Sequence, residues 1–206
     1  MAGIGVRLNR IFEKNTLTTN LVGFFYSTVV TVAPMFVIII NLILMEYLLD
    51  FASVGYVTRE LFSCTILYTF IFSLLTASPF NAVLSRYMSD VIYEERYQDI
   101  LPCYHIGMLL NIGLSCLLGI PFCLWEHFVG KVPTAYVFCG FCGYISLVLV
   151  FYSMIYLSIC KDYQRISQYF FFGMLVAFVL ALILHFILKW ETTWSMLFSL
   201  TIGFFV

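Results

Sequence analysis

Charged residues are scarce in this chain: Asp, Glu, Lys and Arg make up 10% of its 206 residues, while hydrophobic residues make up 63%. An ordinary soluble domain carries about 25% charged residues. The net charge is −1, so the composition gives no indication of a nucleic-acid partner. So few charges cannot cover a water-facing surface, and the composition therefore excludes an ordinary soluble protein and indicates that lipid is the solvent.

Polar interruptions are also rare, and the chain divides into six apolar segments joined by short polar connections. The first five segments approach or exceed the roughly 20 residues that cross a bilayer core. They are continuous apolar runs without the alternation of barrel strands, so they are expected to be helices. The sequence predicts an all-α integral membrane protein, a six-helix bundle with helices at about 21–45, 61–80, 102–124, 135–159, 167–188 and 193–206.

Two further expectations concern the first and the last apolar segments. A secretory signal peptide has an apolar core of about 7 to 15 residues followed by a small-residue cleavage site. The first apolar run is longer and ends at Asn41 and Glu46 without such a site, so it is expected to be a retained helix. The sixth segment stops at Val206, too short to span, and we expect the chain to be a fragment with an incomplete sixth helix.

Lys and Arg are distributed unevenly between alternate connections. Three lie on one side of the predicted membrane: Arg59, Lys131 and Lys189. Seven lie on the other: Arg7, Arg10, Lys14, Arg86, Arg96, Lys161 and Arg165. The positive-inside rule therefore predicts that the N-terminus and the two richer connections are cytoplasmic.

Two cytoplasmic stretches have an amphipathic pattern. Residues 1–20 carry an apolar stripe at helical spacing, which predicts a helix along the inner membrane surface or a simple topology signal. Residues 79–96 predict a second amphipathic helix, with Ser78 as its cap and Pro79 in its first turn. Arg86 and Asp90 lie one turn apart on it and can pair; we take both as candidates for a cytoplasmic gate or docking site. Its apolar positions are Val83, Leu84, Tyr87, Met88, Val91 and Ile92.

No ionisable pair lies in the middle of an apolar segment. Ion-coupled antiporters normally keep an acidic residue inside the bundle, and an intramembrane hydrolase needs grouped nucleophiles, bases or metal ligands. Cys139 and Cys142 have CxxC spacing, but no His or second Cys pair accompanies them. The sequence therefore predicts no catalytic residue, no cofactor site and no metal site, and it argues against an enzyme.

Uncharged polar and aromatic side chains are what the predicted bundle does contain. Hydroxyl, amide and aromatic groups suit a path for a sugar chain, through hydrogen bonds and stacking on sugar faces. Interhelical hydrogen bonding is the alternative explanation. The candidate translocation-path residues are Asn41, Asn111, Tyr144 and Tyr152.

Motifs in four parts of the chain resemble those of one family. Residues 1–5, Met-Ala-Gly-Ile-Gly, precede a basic stretch and a first helix that contains Pro34. Residues 84–90, 100–102 and 161–166 follow in the same order as that family's loop motifs. Together they resemble PelG, the family of Pel exopolysaccharide transporters in the polysaccharide branch of the multidrug, oligosaccharidyl-lipid and polysaccharide flippase superfamily.

This resemblance implies the N-terminal lobe of a two-lobed transporter in the bacterial inner membrane, which exports a polysaccharide by alternating access. It also implies contact with the lipid bilayer, a cytoplasmic glycosyltransferase and other membrane subunits of a Pel-like system. Two alternatives stay open: a drug or metabolite antiporter of the same superfamily, and a non-transporting scaffold subunit of a polysaccharide synthase.

Overall fold

The structure is a computed structural model that describes residues 36–159 and 163–206. It is helical, with no strand in these two ranges. Short 3-10 turns occupy Phe51–Ser53 and Tyr97–Asp99, and a π-helical turn, Ile183–Ile187, extends the fifth helix. The six described α-helices are α1 Phe36–Leu48, α2 Tyr56–Tyr93, α3 Ile100–Phe128, α4 Thr134–Ile159, α5 Tyr163–Leu182 and α6 Thr192–Phe205.

Four of these helices, α2 to α5, are long and apolar enough to cross a membrane, whereas α6 and the described part of α1 are shorter apolar helices. Continuous helices satisfy every backbone polar group internally, which is what a lipid environment requires. The predicted all-α membrane bundle is confirmed. The predicted start of the first helix and the amphipathic stretch at 1–20 lie outside the described residues.

The second helix differs from its prediction. The sequence predicted a membrane helix at about 61–80 and a separate cytoplasmic helix that begins near Pro79, but α2 is one helix of 38 residues with Pro79 inside it. Breaking a helix in an apolar environment would leave several backbone groups unpaired, so the helix tolerates the single missing N–H of the proline. At 1.5 Å per residue α2 is about 57 Å long and outruns the roughly 30 Å membrane core.

The largest apolar core joins α1, α2, α4, α5 and α6. Its fully buried members include Met45, Phe62, Leu147, Met174 and Leu200, one from each of these helices. Because long apolar side chains from five helices meet there, this cluster is the centre of the bundle. The third helix is attached through a different face, formed by small and polar residues.

Close contact between α5 and α6 depends on small residues. A Cβ atom added to Gly203 would lie 2.5 Å from the Cβ of Ala177 and 2.7 Å from the carbonyl oxygen of Gly173. Small residues let two helix backbones approach closely enough for van der Waals packing in lipid. No sequence pattern predicted this contact.

Candidate functional site

One face of α3 consists of small and polar residues at four-residue intervals: Gly107, Asn111, Ser115 and Gly119. Asn111 and Ser115 are fully buried. A Cβ atom added to Gly107 would collide with the Tyr152 hydroxyl, and one added to Gly119 would lie 2.6 Å from the ring of Phe141. This face therefore packs directly on α4. We call it, together with Phe141, Tyr144 and Tyr152, the α3–α4 seam.

Tyr144 and Tyr152 are both buried in this seam, with their hydroxyl groups hydrogen-bonded between helices. The Tyr144 hydroxyl lies 2.8 Å from Thr76 Oγ1 of α2. The Tyr152 hydroxyl donates to the backbone carbonyl of Tyr104 at 3.1 Å, and the two rings stack with centroids 5.3 Å apart. Tyr156 also packs on Tyr104, at 4.6 Å between centroids. We call Tyr104, Tyr152 and Tyr156 the tyrosine cluster.

Asn111 is different, because its side-chain amide is without a hydrogen-bond partner in the part of the chain that the structure describes. Both Nδ2 and Oδ1 are buried and form no hydrogen bond with the described residues. Ser115 donates to the backbone carbonyl of Asn111 at 2.7 Å, which leaves the amide group itself unused. An unsatisfied buried polar group destabilises a fold by about 1–3 kcal/mol. The described part of the chain therefore does not explain this amide structurally.

Asn41 lies on a different interface. Its Nδ2 donates to the backbone carbonyl of Met174 at 2.9 Å, which ties α1 to α5, while its Oδ1 is buried without a partner among the described residues. The structure thus brings together three of the four residues predicted for a path, Asn111, Tyr144 and Tyr152, and puts Asn41 at the α1–α5 contact.

A cavity of about 410 Å³ lies between α2, α3 and α4, and extends along them towards the α3–α4 connection. Tyr144 and Thr76 border it, as does Glu126 near the end of α3. Thr65 and Thr69 also line it, on the same face of α2 as Thr76. No sequence pattern predicted this cavity, and the threonines repeated along α2 are the one feature of the sequence that indicates it.

Arg86 and Asp90 are both exposed near the end of α2. Their proposed pairing is wrong: the ion pairs among the described residues are those of Arg96 with Glu94 at 2.5 Å and with Asp99 at 3.4 Å. The hydrogen-bonded Glu94 carboxylate raises the pKa of the Arg96 guanidinium. Side chains four residues apart on an exposed helix gain too little from pairing to hold one geometry.

The predicted apolar stripe of this region divides into two faces. Leu84, Met88 and Val91 are buried, and the first two pack with Tyr152 in a cluster that also contains residues from the start of α3. Val83 is 71% exposed and Tyr87 is also exposed. The end of α2 therefore binds the tyrosine cluster with one face and presents the other, with Arg86 and Asp90, to its surroundings.

Within the described ranges, no group of three or more His, Cys, Asp and Glu residues could hold a metal ion. The Cys139 thiol lies 3.6 Å from the Thr201 hydroxyl of α6, so Cys139 takes part in helix packing. An all-helical bundle with several apolar helices of membrane-spanning length defines a multi-pass membrane protein.

A protein-family model described as "PelG: Putative exopolysaccharide Exporter (EPS-E)" matches residues 1–206. The chain belongs to the PelG family of exopolysaccharide exporters. The family resemblance inferred from the four sequence motifs is therefore confirmed. Searches of the curated proteins and of the solved structures found no match.

Proposed function

We propose that this chain forms one lobe of a bacterial inner-membrane exporter that moves a Pel-like exopolysaccharide by alternating access. The family match over residues 1–206 carries the proposal, since the family is one of exopolysaccharide exporters. The substrate is a sugar polymer, and the lipid bilayer is the surrounding medium. No catalytic residue and no cofactor is assigned.

The α3–α4 seam is the proposed wall of the path. Alternating access requires helices that can separate without breaking a large apolar core. At this seam α3 contributes Gly107 and Gly119, whereas the core formed by the other helices lies elsewhere. When the seam opens, the Asn111 amide and the hydroxyls of Tyr144 and Tyr152 become available to sugar hydroxyls. The unpaired amide of Asn111 supports this role, because substrate would supply the partner that the described residues lack.

The tyrosine cluster is the proposed closure at the cytoplasmic end of this wall. The uneven distribution of Lys and Arg supports a cytoplasmic N-terminus and a cytoplasmic α2–α3 connection. Leu84 and Met88 of α2 pack with Tyr152, so any movement of the end of α2 is transmitted to the cluster. Opening would separate Tyr152 from Gly107 and from the Tyr104 carbonyl.

The exposed face at the end of α2 is the proposed contact with a cytoplasmic glycosyltransferase or another membrane subunit. It combines apolar side chains, Val83 and Tyr87, with the charges of Arg86 and Asp90, which form no ion pair with the described residues. Mixed apolar and charged surfaces of this kind are typical of protein interfaces. The alternative function, a non-transporting scaffold subunit of a polysaccharide synthase, would require the same docking surface.

Replacing Asn111 by Leu tests the path directly. Leu has a similar size and no polar atoms, so it removes the unsatisfied amide without leaving a cavity. We expect Asn111→Leu in the complete gene product to unfold at the same temperature as the parent or a higher one. In cells that lack their own exporter, we expect this variant to reduce secreted polysaccharide by about tenfold. That factor corresponds to a loss of about 1.4 kcal/mol in binding free energy.

Ser115→Ala is the matched control, one turn along the same face. Among the described residues its hydroxyl bonds only to the backbone of its own helix, so we expect nearly normal export. A strong loss of thermal stability in Asn111→Leu, at unchanged export per molecule, would mean that Asn111 has a structural partner and no role in the path.

A further inference from the structure

The cavity between α2, α3 and α4 is apolar even where the sequence is polar. Thr65 donates to the carbonyl of Leu61 at 2.7 Å, and Thr69 donates to that of Thr65 at 2.6 Å. Thr76 is bonded to Tyr144 at 2.8 Å. These three hydroxyls are occupied, and the buried Tyr136 hydroxyl in the same wall has no hydrogen bond with the described residues. One such group cannot satisfy a sugar, so a sugar in this cavity would leave many of its own hydroxyls unpaired. The remaining wall is largely aliphatic and aromatic, including Phe72, Leu114, Leu118, Phe122 and Phe141.

The dimensions of the cavity match one leaflet of a bilayer. Along α3 its lining runs from Leu114 to Glu126, which is about 18 Å at 1.5 Å per residue. Half of a bilayer core of roughly 30 Å is about 15 Å. Leu118 is 51% exposed at the outer surface of the described helices, and Phe122 is also exposed. The cavity therefore opens sideways into the leaflet on the side of the α3–α4 connection.

A single carboxylate stands at the end of this cavity nearest the membrane surface. Glu126 is partly buried, and no Lys, Arg or His of the described residues forms an ion pair with it. Its neighbour Trp125 is 64% exposed, as expected of a side chain at the level of the lipid head groups. An apolar channel one leaflet long is complementary to an acyl chain. The carboxylate at its end, which no described cation neutralises, is complementary to a cationic head group.

We propose that this cavity binds one bilayer phospholipid with a primary-amine head group, such as phosphatidylethanolamine. An acyl chain fills the space between α2, α3 and α4, and the ammonium group donates to the Glu126 carboxylate. This lipid site adjoins the proposed sugar path, since Phe141 and Tyr144 of the α3–α4 seam also line it. Its other walls offer mainly apolar contact, whereas the path requires open hydrogen-bonding groups.

Native mass spectrometry of the complete protein, purified in detergent and titrated with defined lipids, tests the site. We expect the protein to retain one phosphatidylethanolamine more strongly than phosphatidylglycerol, which has no amine. Glu126→Gln should lower the affinity for phosphatidylethanolamine about fivefold and leave that for phosphatidylglycerol unchanged. Glu191→Gln is the control, because Glu191 borders a separate apolar groove between α4 and α6.

Two adjacent leucines test where the acyl chain lies. Leu118 lines the cavity, whereas Leu117 is 69% exposed and lies outside it. Leu118→Trp should fill the cavity and lower retention of both lipids about tenfold. Leu117→Trp is the control and should leave lipid retention unchanged. Equal unfolding temperatures would show that both variants fold.

Three results would overturn the proposal. Unchanged lipid retention in Leu118→Trp would mean that another part of the protein covers the cavity. If Glu126→Gln still prefers phosphatidylethanolamine to phosphatidylglycerol as strongly as the parent does, the ammonium group does not contact Glu126. An equal loss in Glu191→Gln would mean that the charge effect is general to that side of the membrane.

Discussion

Arg86 and Arg96 lie close together along the chain, yet their surroundings differ. Arg96 is held by Glu94 and Asp99 in the turn after α2. Arg86 is exposed on the helix itself and is not paired with Asp90. A charge that contributes nothing to an ion pair can be inverted with little effect on folding. Arg86 is therefore a residue at which docking and folding can be separated by experiment.

We predict that Arg86→Glu in the complete protein reduces polysaccharide secretion at least about threefold while membrane abundance stays the same, since an exposed charge contributes about 0–1 kcal/mol to stability. Secretion and immunoblotting of membranes measure the two quantities. The charge swap Arg86→Asp with Asp90→Arg should not restore secretion if a partner recognises each position. Full rescue by the swap would mean that the two residues pair in the working protein.

At the scale of helices, glycines have opposite roles in different contacts. Gly203 lies between Gly173 and Ala177, where an added Cβ would lie 2.5 Å from the nearest atom. Gly113 of α3 has no neighbouring atom within 4 Å of such a Cβ. The first glycine permits a close helix pair, whereas the second only increases the backbone freedom of the unfolded chain.

Alanine at these two positions should therefore have effects of opposite sign. Gly203→Ala forces α5 and α6 apart, and we expect it to lower stability by about 1–3 kcal/mol. Gly113→Ala should raise stability by about 0.5–1 kcal/mol, as expected for a helix position with room for a methyl group. Thermal unfolding of the purified proteins in the same detergent gives both values. Similar destabilisation by both substitutions would contradict the close contact between α5 and α6.

At the scale of the whole molecule, the connections alternate between the two ends of the bundle. The α2–α3 connection holds Arg96, and the sequence predicts that most of the Lys and Arg residues of the chain lie on the same side of the membrane. The α3–α4 connection lies at the opposite end, beside Glu126 and the mouth of the proposed lipid site. The positive-inside rule gives this arrangement one favoured orientation in the membrane.

A membrane-impermeant thiol reagent measures that orientation. In a background whose seven cysteines are replaced by alanine, we predict that Gln98→Cys reacts only after the inner face is exposed. Val129→Cys should react in intact cells whose outer membrane has been made permeable. Both positions are exposed in connections between helices, so access reports the side of the membrane. The reversed labelling pattern would mean that the protein has the inverse orientation, with the proposed docking face outside and the lipid site in the inner leaflet.

Much of the helix pattern could be predicted because it is local. The segments predicted at 102–124 and 135–159 lie within Ile100–Phe128 and Thr134–Ile159, since apolar runs and their polar flanks record where the chain meets lipid and water. Pro79 was misread, because its behaviour depends on whether lipid or water surrounds the helix. Asn111, Tyr144 and Tyr152 were recognisable as unusual polar residues in apolar helices, but their partners were not.

The sequence by itself determined the class of the protein: composition, apolar periodicity and four short motifs led to an all-helical membrane protein of the PelG family. Only the tertiary structure decided which side chains meet. Tyr144 pairs with Thr76, 68 residues away, and Tyr152 with the carbonyl of Tyr104, 48 residues away. Such contacts depend on how each helix is rotated and how it crosses its neighbours. Local hydropathy reports only whether a residue prefers lipid to water, so it cannot specify these pairs or the cavity between them.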